Sequence, residues 1–178
     1  MLRKAFVAAG ALLLSGTGAL AQTTVTLPDT SQTTAASATI SEQVRITVPA
    51  GVSFAVTNVG ATTTAAAAAV AIDRIVLGTN TKQLRISLRA ASVSFTAAGG
   101  GTTWSAADVS WNAATWTTAL GSTGTLSAAA FGTVATCSAG TTACGTGNLI
   151  FSLAPKPTIQ RAGSHTLVVT WKVESIGS

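Results

Sequence analysis

Residues 167–173 read LVVTWKV and form the clearest strand pattern in the chain. Successive side chains of a β-strand point to opposite faces of a sheet. Every second residue here is apolar, and four of these side chains share one face: Leu167, Val169, Trp171 and Val173. Thr170 and Lys172 fall on the other face, as expected for a strand with one buried and one solvated side. The stretch therefore predicts a β-sheet protein whose core covers one face of the sheet.

Further segments show the same alternation or a short apolar run, and turn-forming residues separate them. They are residues 44–48, 52–57, 70–77, 84–89 and 149–153. One helical turn is expected at 105–108, followed by a strand at 109–111, while residues 61–69 fit a short helix and an extended loop equally. These signals predict an all-β chain. We expect an antiparallel immunoglobulin-like β-sandwich of about seven to nine strands, with a small β-barrel as the alternative.

The first 21 residues have the pattern of an export signal. Arg3 and Lys4 precede an apolar stretch, and small residues at Ala19 and Ala21 suit a signal peptidase. We expect cleavage after Ala21 and a secreted protein, placed outside the cell or in the cell envelope, a periplasm included. Residues 1–21 are too short and too interrupted by Gly and Ser for a membrane span. No later segment is apolar enough, so we expect no membrane span in the mature chain.

Composition divides the mature chain into two parts. Residues 22–39 are polar and rich in threonine, which predicts a flexible N-terminal arm with one apolar alternation at Val25 and Leu27. Residues 40–178 are enough for a single domain with its own core.

Charged side chains are scarce. After cleavage, eight basic and five acidic residues remain, so the net charge is +3, and this argues against a nucleic-acid partner. Arg85 and Arg89 share one face of a predicted strand, with Arg45 on a candidate neighbouring strand. These side chains form a candidate patch for an anionic wall polymer or lipopolysaccharide. The alternative is a solvated face that discourages edge-to-edge pairing of sheets.

The two cysteines, Cys137 and Cys144, predict a disulfide, because an even count in an exported protein favours pairing. A redox pair would need a tighter spacing, and two cysteines with one distant histidine do not make a zinc site.

Residues for catalysis are few. His165 is the single histidine, the carboxylates are scattered, and the nucleophile-elbow and phosphate-loop motifs are missing. We therefore expect no enzyme, no catalytic or metal-binding residues and no cofactor.

Three of the four tryptophans, Trp104, Trp111 and Trp116, lie within thirteen residues. The phase of the expected strand predicts that Trp111 is buried. Trp104 and Trp116 are candidate exposed rings for stacking on sugars, and with Arg85 and Arg89 they form the candidate glycan contacts.

Residues 162–173 read AGSHTLVVTWKV, and this run resembles the closing strand of bacterial surface β-domains of the WxL type. Those strands often begin with Ala-Gly-x-aromatic-Thr and continue to Thr-Trp-x-Leu. In this chain His165 replaces the aromatic residue and Val173 replaces the leucine. The resemblance implies a domain held non-covalently on the cell wall. The architecture is also similar to that of chaperone–usher pilins, which share an N-terminal arm, a disulfide and an immunoglobulin-like sandwich.

Together these features favour a structural or adhesive cell-surface protein, a pilus-like filament subunit. The arm can add a strand to the sheet of a neighbouring subunit, with Val25 and Leu27 in apolar pockets. The expected partners are further copies of the chain and a cell-wall or extracellular glycan. The alternative function is a carbohydrate or wall-polymer binding module that uses exposed tryptophans.

Overall fold

A computed structural model describes residues 24–30 and 32–178, and the predicted signal at 1–21 lies outside these residues. The chain divides into two compact units, Met1–Ala38 and Thr39–Ser178. Every strand among the described residues lies in the second unit.

Eleven strands form three antiparallel sheets within the described residues. In chain order they are β1 (Gln43–Thr47), β2 (Thr63–Thr64), β3 (Ala68–Val76), β4 (Gln83–Ala90), β5 (Val109–Trp111), β6 (Ala119–Gly121), β7 (Gly124–Thr125), β8 (Gly132–Cys137), β9 (Cys144–Leu149), β10 (Phe151–Leu153) and β11 (Val169–Ile176). The first sheet has the order β1-β3-β9, the second β2-β10-β5-β7 and the third β11-β4-β8-β6. A single 3₁₀ turn at Ala106–Asp108 precedes β5, as predicted.

The prediction of an all-β chain with antiparallel, sandwich-like packing is confirmed. Each of the three sheets is open, with two edge strands, so they do not form the closed barrel of the alternative. Eleven strands exceed the seven to nine expected, because five of them have only two or three residues. Of these five, β5 and β10 were predicted, whereas β2, β6 and β7 leave no recognisable alternation in the sequence.

The longest ladder joins β4 to β11 over all eight residues of each strand. Along β4 the even-numbered side chains are buried in the core: Leu84, Ile86, Leu88 and Ala90. Arg85 and Arg89 lie on the opposite face. The strand predicted from residues 167–173 is confirmed, although its ladder begins at Val169.

Residues 52–57 are not a strand, although their alternation predicts one. Val52, Phe54 and Val56 are half-buried and the residues between them are exposed, so the alternation reports burial correctly. The segment pairs with no other strand among the described residues, and local sequence does not reveal that.

Residues 61–69 are not helical either, since they contain β2 and the first two residues of β3.

The predicted disulfide is confirmed. Cys137 ends β8 and Cys144 begins β9, and their Cα atoms are 6.0 Å apart. Because β8 belongs to the third sheet and β9 to the first, the bond joins two sheets.

Replacing both cysteines, Cys137→Ala with Cys144→Ala, should lower the free energy of unfolding by about 2–3 kcal/mol, because the unfolded loop gains conformational entropy. Urea denaturation followed by tryptophan fluorescence measures this difference. Reduced and oxidised wild-type protein should differ by the same amount. A change below about 0.5 kcal/mol would contradict a stabilising role for the bond.

Trp111 is buried, as its strand phase predicts, and its Nε1 donates a hydrogen bond to the Ser122 carbonyl at 3.0 Å. Two glycines make room for the ring. A Cβ atom on Gly124 would overlap Cζ2 of Trp111, and one on Gly132 would lie 2.7 Å from Cη2. The indole therefore packs directly on the backbone of β7 and on the start of β8.

Gly124→Ala should lower the free energy of unfolding by about 1–3 kcal/mol, because the methyl group forces the Trp111 ring out of its site. Gly147→Ala in β9 is the matched control, since no atom lies within 4 Å of its Cβ position. Urea titrations of both variants make the comparison. Equal losses in the two variants would contradict the packing account.

Candidate functional site

An apolar groove with a volume of about 780 Å³ lies within the strand-bearing unit. Its floor is formed by buried side chains of the 3₁₀ region and the second sheet: Trp104, Val109, Leu126, Phe151 and Leu153. Its two walls are residues 49–59 and residues 159–169, the latter continuing to Trp171.

The first wall is a strand-like segment without a ladder. Val52, Phe54 and Val56 line the groove and alternate with exposed residues. Among the described residues, 49–55 form no backbone hydrogen bond to another segment; the Val56 N–H donates to the Phe54 carbonyl at 3.1 Å. Pairing resumes at Val59, whose carbonyl accepts from the Lys156 N–H at 2.6 Å.

The second wall leads into the open edge of the third sheet. β11 pairs with β4 on one side, and its other side has no partner strand among the described residues. Leu167, Val169 and Trp171 line the groove and are half-buried. The groove therefore lies between a sheet edge and an unpaired extended segment, and each offers apolar side chains at alternate positions.

Trp104 is fixed in the groove floor by several contacts. Its Nε1 donates a hydrogen bond to the Ala154 carbonyl at 2.9 Å. Its ring meets Phe95 edge-on with centroids 6.4 Å apart, and His165 with centroids 5.3 Å apart. Trp104 is thus held in place by one residue before it in the chain, Phe95, and by two after it, Ala154 and His165.

His165 lies at the rim of the groove and contacts no carboxylate in the described structure. Its Nδ1 is 2.8 Å from Oγ1 of Thr103, and its Nε2 is 3.4 Å from the Arg161 carbonyl. No group of three His, Cys, Asp or Glu side chains within the described ranges is arranged to hold a metal ion. The geometry of the groove suits binding of an apolar, extended segment.

The helical turn predicted at residues 105–108 contains a capping box, which supports the groove floor. The Ser105 N–H donates to Oδ2 of Asp108 at 2.7 Å, and Lys156 Nζ lies 3.0 Å from the same oxygen. Burial opposes ionisation of Asp108, but the Ser105 hydrogen bonds and Lys156 outweigh it and lower the pKa of the carboxyl. The ionised carboxylate therefore holds the turn that carries Val109 into the groove.

The expectation of exposed rings at Trp104 and Trp116 is wrong. Their relative exposures are 5% and 8%, so neither presents a face for a sugar. Ala114 and Trp116 are both buried, while Ala113, Thr115 and Thr117 are exposed. The sequence signal for a buried Trp116 was its position between Thr115 and Thr117, whereas burial of Trp104 depends on distant residues.

The three candidate arginines are not one patch. Arg45 lies on β1 in the first sheet and is bound to Asp73 at 2.6 Å, so it does not neighbour the others. Arg85 and Arg89 do share the outer face of β4, as predicted. Phe131 and Lys172 lie beside Arg89, and no local sequence pattern indicates this, because only the strand register brings these residues together.

The two apolar arm residues, Val25 and Leu27, are 37% and 83% exposed. The described part of the predicted arm, residues 24–30 and 32–39, contains no strand.

Comparisons with protein-family models, curated proteins and solved structures find no match to this chain. In the described part of the chain, no helix is long and apolar enough to cross a bilayer.

Asp108→Asn should lower the free energy of unfolding at pH 7 by about 1 kcal/mol, because it removes a charge that accepts two hydrogen bonds. The pKa of Asp108 is lower in the folded state than in the unfolded chain. This stabilisation is therefore complete above the ordinary pKa of an aspartate, and it is lost as the pH falls from there through the folded-state pKa. The difference between wild type and variant should therefore shrink from about pH 5 to pH 3. Urea titrations across this range measure it.

Asp73→Asn is the matched control, since the Arg45–Asp73 pair is more exposed and should contribute less. An Asp108→Asn effect that is independent of pH would contradict the electrostatic account.

Proposed function

We propose that this chain is an exported structural or adhesive protein that assembles head to tail. In the proposed assembly, the N-terminal arm of one copy enters the apolar groove of another copy as an added β-strand. The observation that carries the proposal is the groove itself, which lies between the unpaired edge of β11 and the unpaired segment 49–55.

Strand addition fits the chemistry of both walls. A sheet edge presents backbone N–H and C=O groups that an incoming extended segment satisfies, and pockets for alternate side chains supply specificity. Leu167 and Val169 on one wall and Val52 and Phe54 on the other provide apolar surface at alternate positions. An incoming strand therefore needs apolar side chains with a period of two.

The arm meets this requirement. Val25 and Leu27 alternate with threonines, which favour extended structure. Asp29 is the one charged residue between positions 22 and 39, so the segment enters an apolar groove without a large desolvation penalty. The exposure of Leu27 leaves its side chain available to another copy.

Arm and groove are different surfaces, so the contact is heterologous. Contacts of this kind propagate into open filaments unless the rotation between copies closes a ring. An immunoglobulin-like sandwich on the cell surface, stabilised by the Cys137–Cys144 bond, suits such a role. The confirmed disulfide and the predicted signal at 1–21 both support export.

The carbohydrate-binding alternative loses its tryptophans, because Trp104 and Trp116 are buried. What supports glycan binding is the outer face of the third sheet, which carries Arg85, Arg89 and Lys172.

Val25→Asp combined with Leu27→Asp should leave the protein monomeric where wild type assembles, because two carboxylates would enter an apolar groove. Thr24→Asp with Thr26→Asp is the matched control: it adds the same charge on the opposite face of the arm strand, and it should still assemble. Light scattering and negative-stain electron microscopy of the exported protein provide the readout.

Deleting residues 22–39 should likewise abolish assembly and leave the domain folded by circular dichroism. A synthetic peptide of residues 22–30 should then bind the truncated protein. Assembly of the truncated protein, or equal behaviour of the two double variants, would overturn the proposal.

A further inference from the structure

The outer face of the third sheet carries a cluster of charged side chains that the groove does not use. Side chains opposite each other in a ladder lie on the same face of the sheet. Three such pairs are Arg85 with Glu174, Ser87 with Lys172, and Arg89 with Thr170. The neighbouring positions of β4 face the core, so all three pairs lie on the opposite face of the sheet. On that face Ser87 is covered, with 2% exposure, whereas Arg85 and Lys172 reach the surface.

Phe131 lies beside this cluster, one residue before β8. The Cζ atom of Arg89 is 4.7 Å from the ring centroid, and Nζ of Lys172 is 5.5 Å from it. Cations within about 6 Å of an aromatic face are attracted by its electron density. The ring therefore holds two cations next to each other that would otherwise repel.

The cluster has an excess of positive charge. Nη2 of Arg85 lies 2.6 Å from Oε1 of Glu174, and Nζ of Lys172 contacts the other carboxylate oxygen. Hydrogen bonds from Lys172 and Arg85 lower the pKa of Glu174, so this carboxylate is ionised at neutral pH. Three cations face one anion, which leaves a net charge of +2.

This excess is a large share of the domain's charge. Residues 39–178 contain eight basic and four acidic side chains, so their net charge is +4. The other three acids are paired with bases elsewhere: Glu42 with Lys82, Asp73 with Arg45, and Asp108 with Lys156. Half of the net positive charge therefore lies on one sheet face.

We propose that this face, formed by Arg85, Arg89, Lys172 and Phe131, binds an acidic polysaccharide through its carboxylates. The planar guanidinium of Arg89 matches a carboxylate in a two-point contact, and Lys172 adds a second charge. About two fifths of the side chains of Arg85 and Lys172 is exposed, so both are accessible to a ligand.

The arrangement suits a polymer better than a small anion. Arg85 and Arg89 are four residues apart on one strand, a separation of about 13 Å. A strip of that length can meet carboxylates that repeat along a chain. Thr136 lies opposite Arg85 and Thr170 lies opposite Arg89, and their hydroxyls can exchange hydrogen bonds with sugar hydroxyls.

Other anionic partners fit less well. Proteins that bind nucleic acid commonly neutralise about six to ten phosphates, which is more than a net charge of +2 can match. A membrane would require an apolar anchor as well as cations. The exposed aliphatic side chains near this face are Leu120, which is 76% exposed, and Val168, which is 69% exposed, and two separate side chains are a weak anchor.

The test uses the full exported protein and polygalacturonate, with neutral dextran as the polymer control. Arg89→Gln should weaken polygalacturonate binding about tenfold in isothermal titration at low salt. Arg74→Gln is the matched variant, because Arg74 is exposed on β3, outside this face, and its loss should have little effect. Arg89→Lys should fall between wild type and Arg89→Gln, since it keeps the charge and loses the planar fork.

Equal binding by wild type and Arg89→Gln, or equal losses in Arg89→Gln and Arg74→Gln, would overturn the proposal. Stronger binding of duplex DNA or anionic phosphatidylglycerol vesicles than of polygalacturonate would overturn the choice of polysaccharide. Lys172→Gln, which should also weaken binding, replaces Arg89→Gln if melting curves show that the latter is unfolded.

Discussion

The eight-residue ladder between β4 and β11 is the interaction on which the rest of the structure depends. Its register places Leu84, Ile86 and Leu88 in the core and leaves Arg85 and Arg89 outside. A slip of one residue would exchange these faces. Such a slip would bury the cations and would also remove Val169 and Trp171 from the groove. Both proposed binding surfaces are therefore consequences of one register, on opposite sides of one sheet.

The free edge of β11 is not uniform along its length. Its first residues border the large groove, whereas Val173 and Ser175 line a smaller cavity of about 190 Å³ together with Glu42 and Val44. The segment around β1 thus lies near the far end of the edge. Long open edges invite pairing with other chains, and proteins usually shorten or cover them. Here the accessible part is restricted to the half beside the groove, which limits where a strand can be added.

The sequence predicted the features of the structure that are formed by residues close together in the chain. The alternation of β11, the helical turn at 105–108 and the disulfide between closely spaced cysteines all depend on residues near in sequence. The strand expected at 52–57 failed because alternation reports a buried face and does not report a ladder partner. The groove and the Phe131 cluster depend on register between distant strands, and burial of Trp104 depends on contacts with Ala154 and His165.

The energetics of the proposed arm binding require both the edge of β11 and an ordered groove floor. Burying Val25 and Leu27 provides about 3–6 kcal/mol. Ordering a five-residue strand opposes this with about 5–10 kcal/mol. Side-chain burial alone therefore does not hold the arm, and hydrogen bonds to the edge of β11, each worth about 0.5–1.5 kcal/mol net, must contribute. Because Trp104 is already fixed by Ala154 and Phe95, the floor of the groove needs little further ordering, and such preorganisation lowers the cost of the proposed binding.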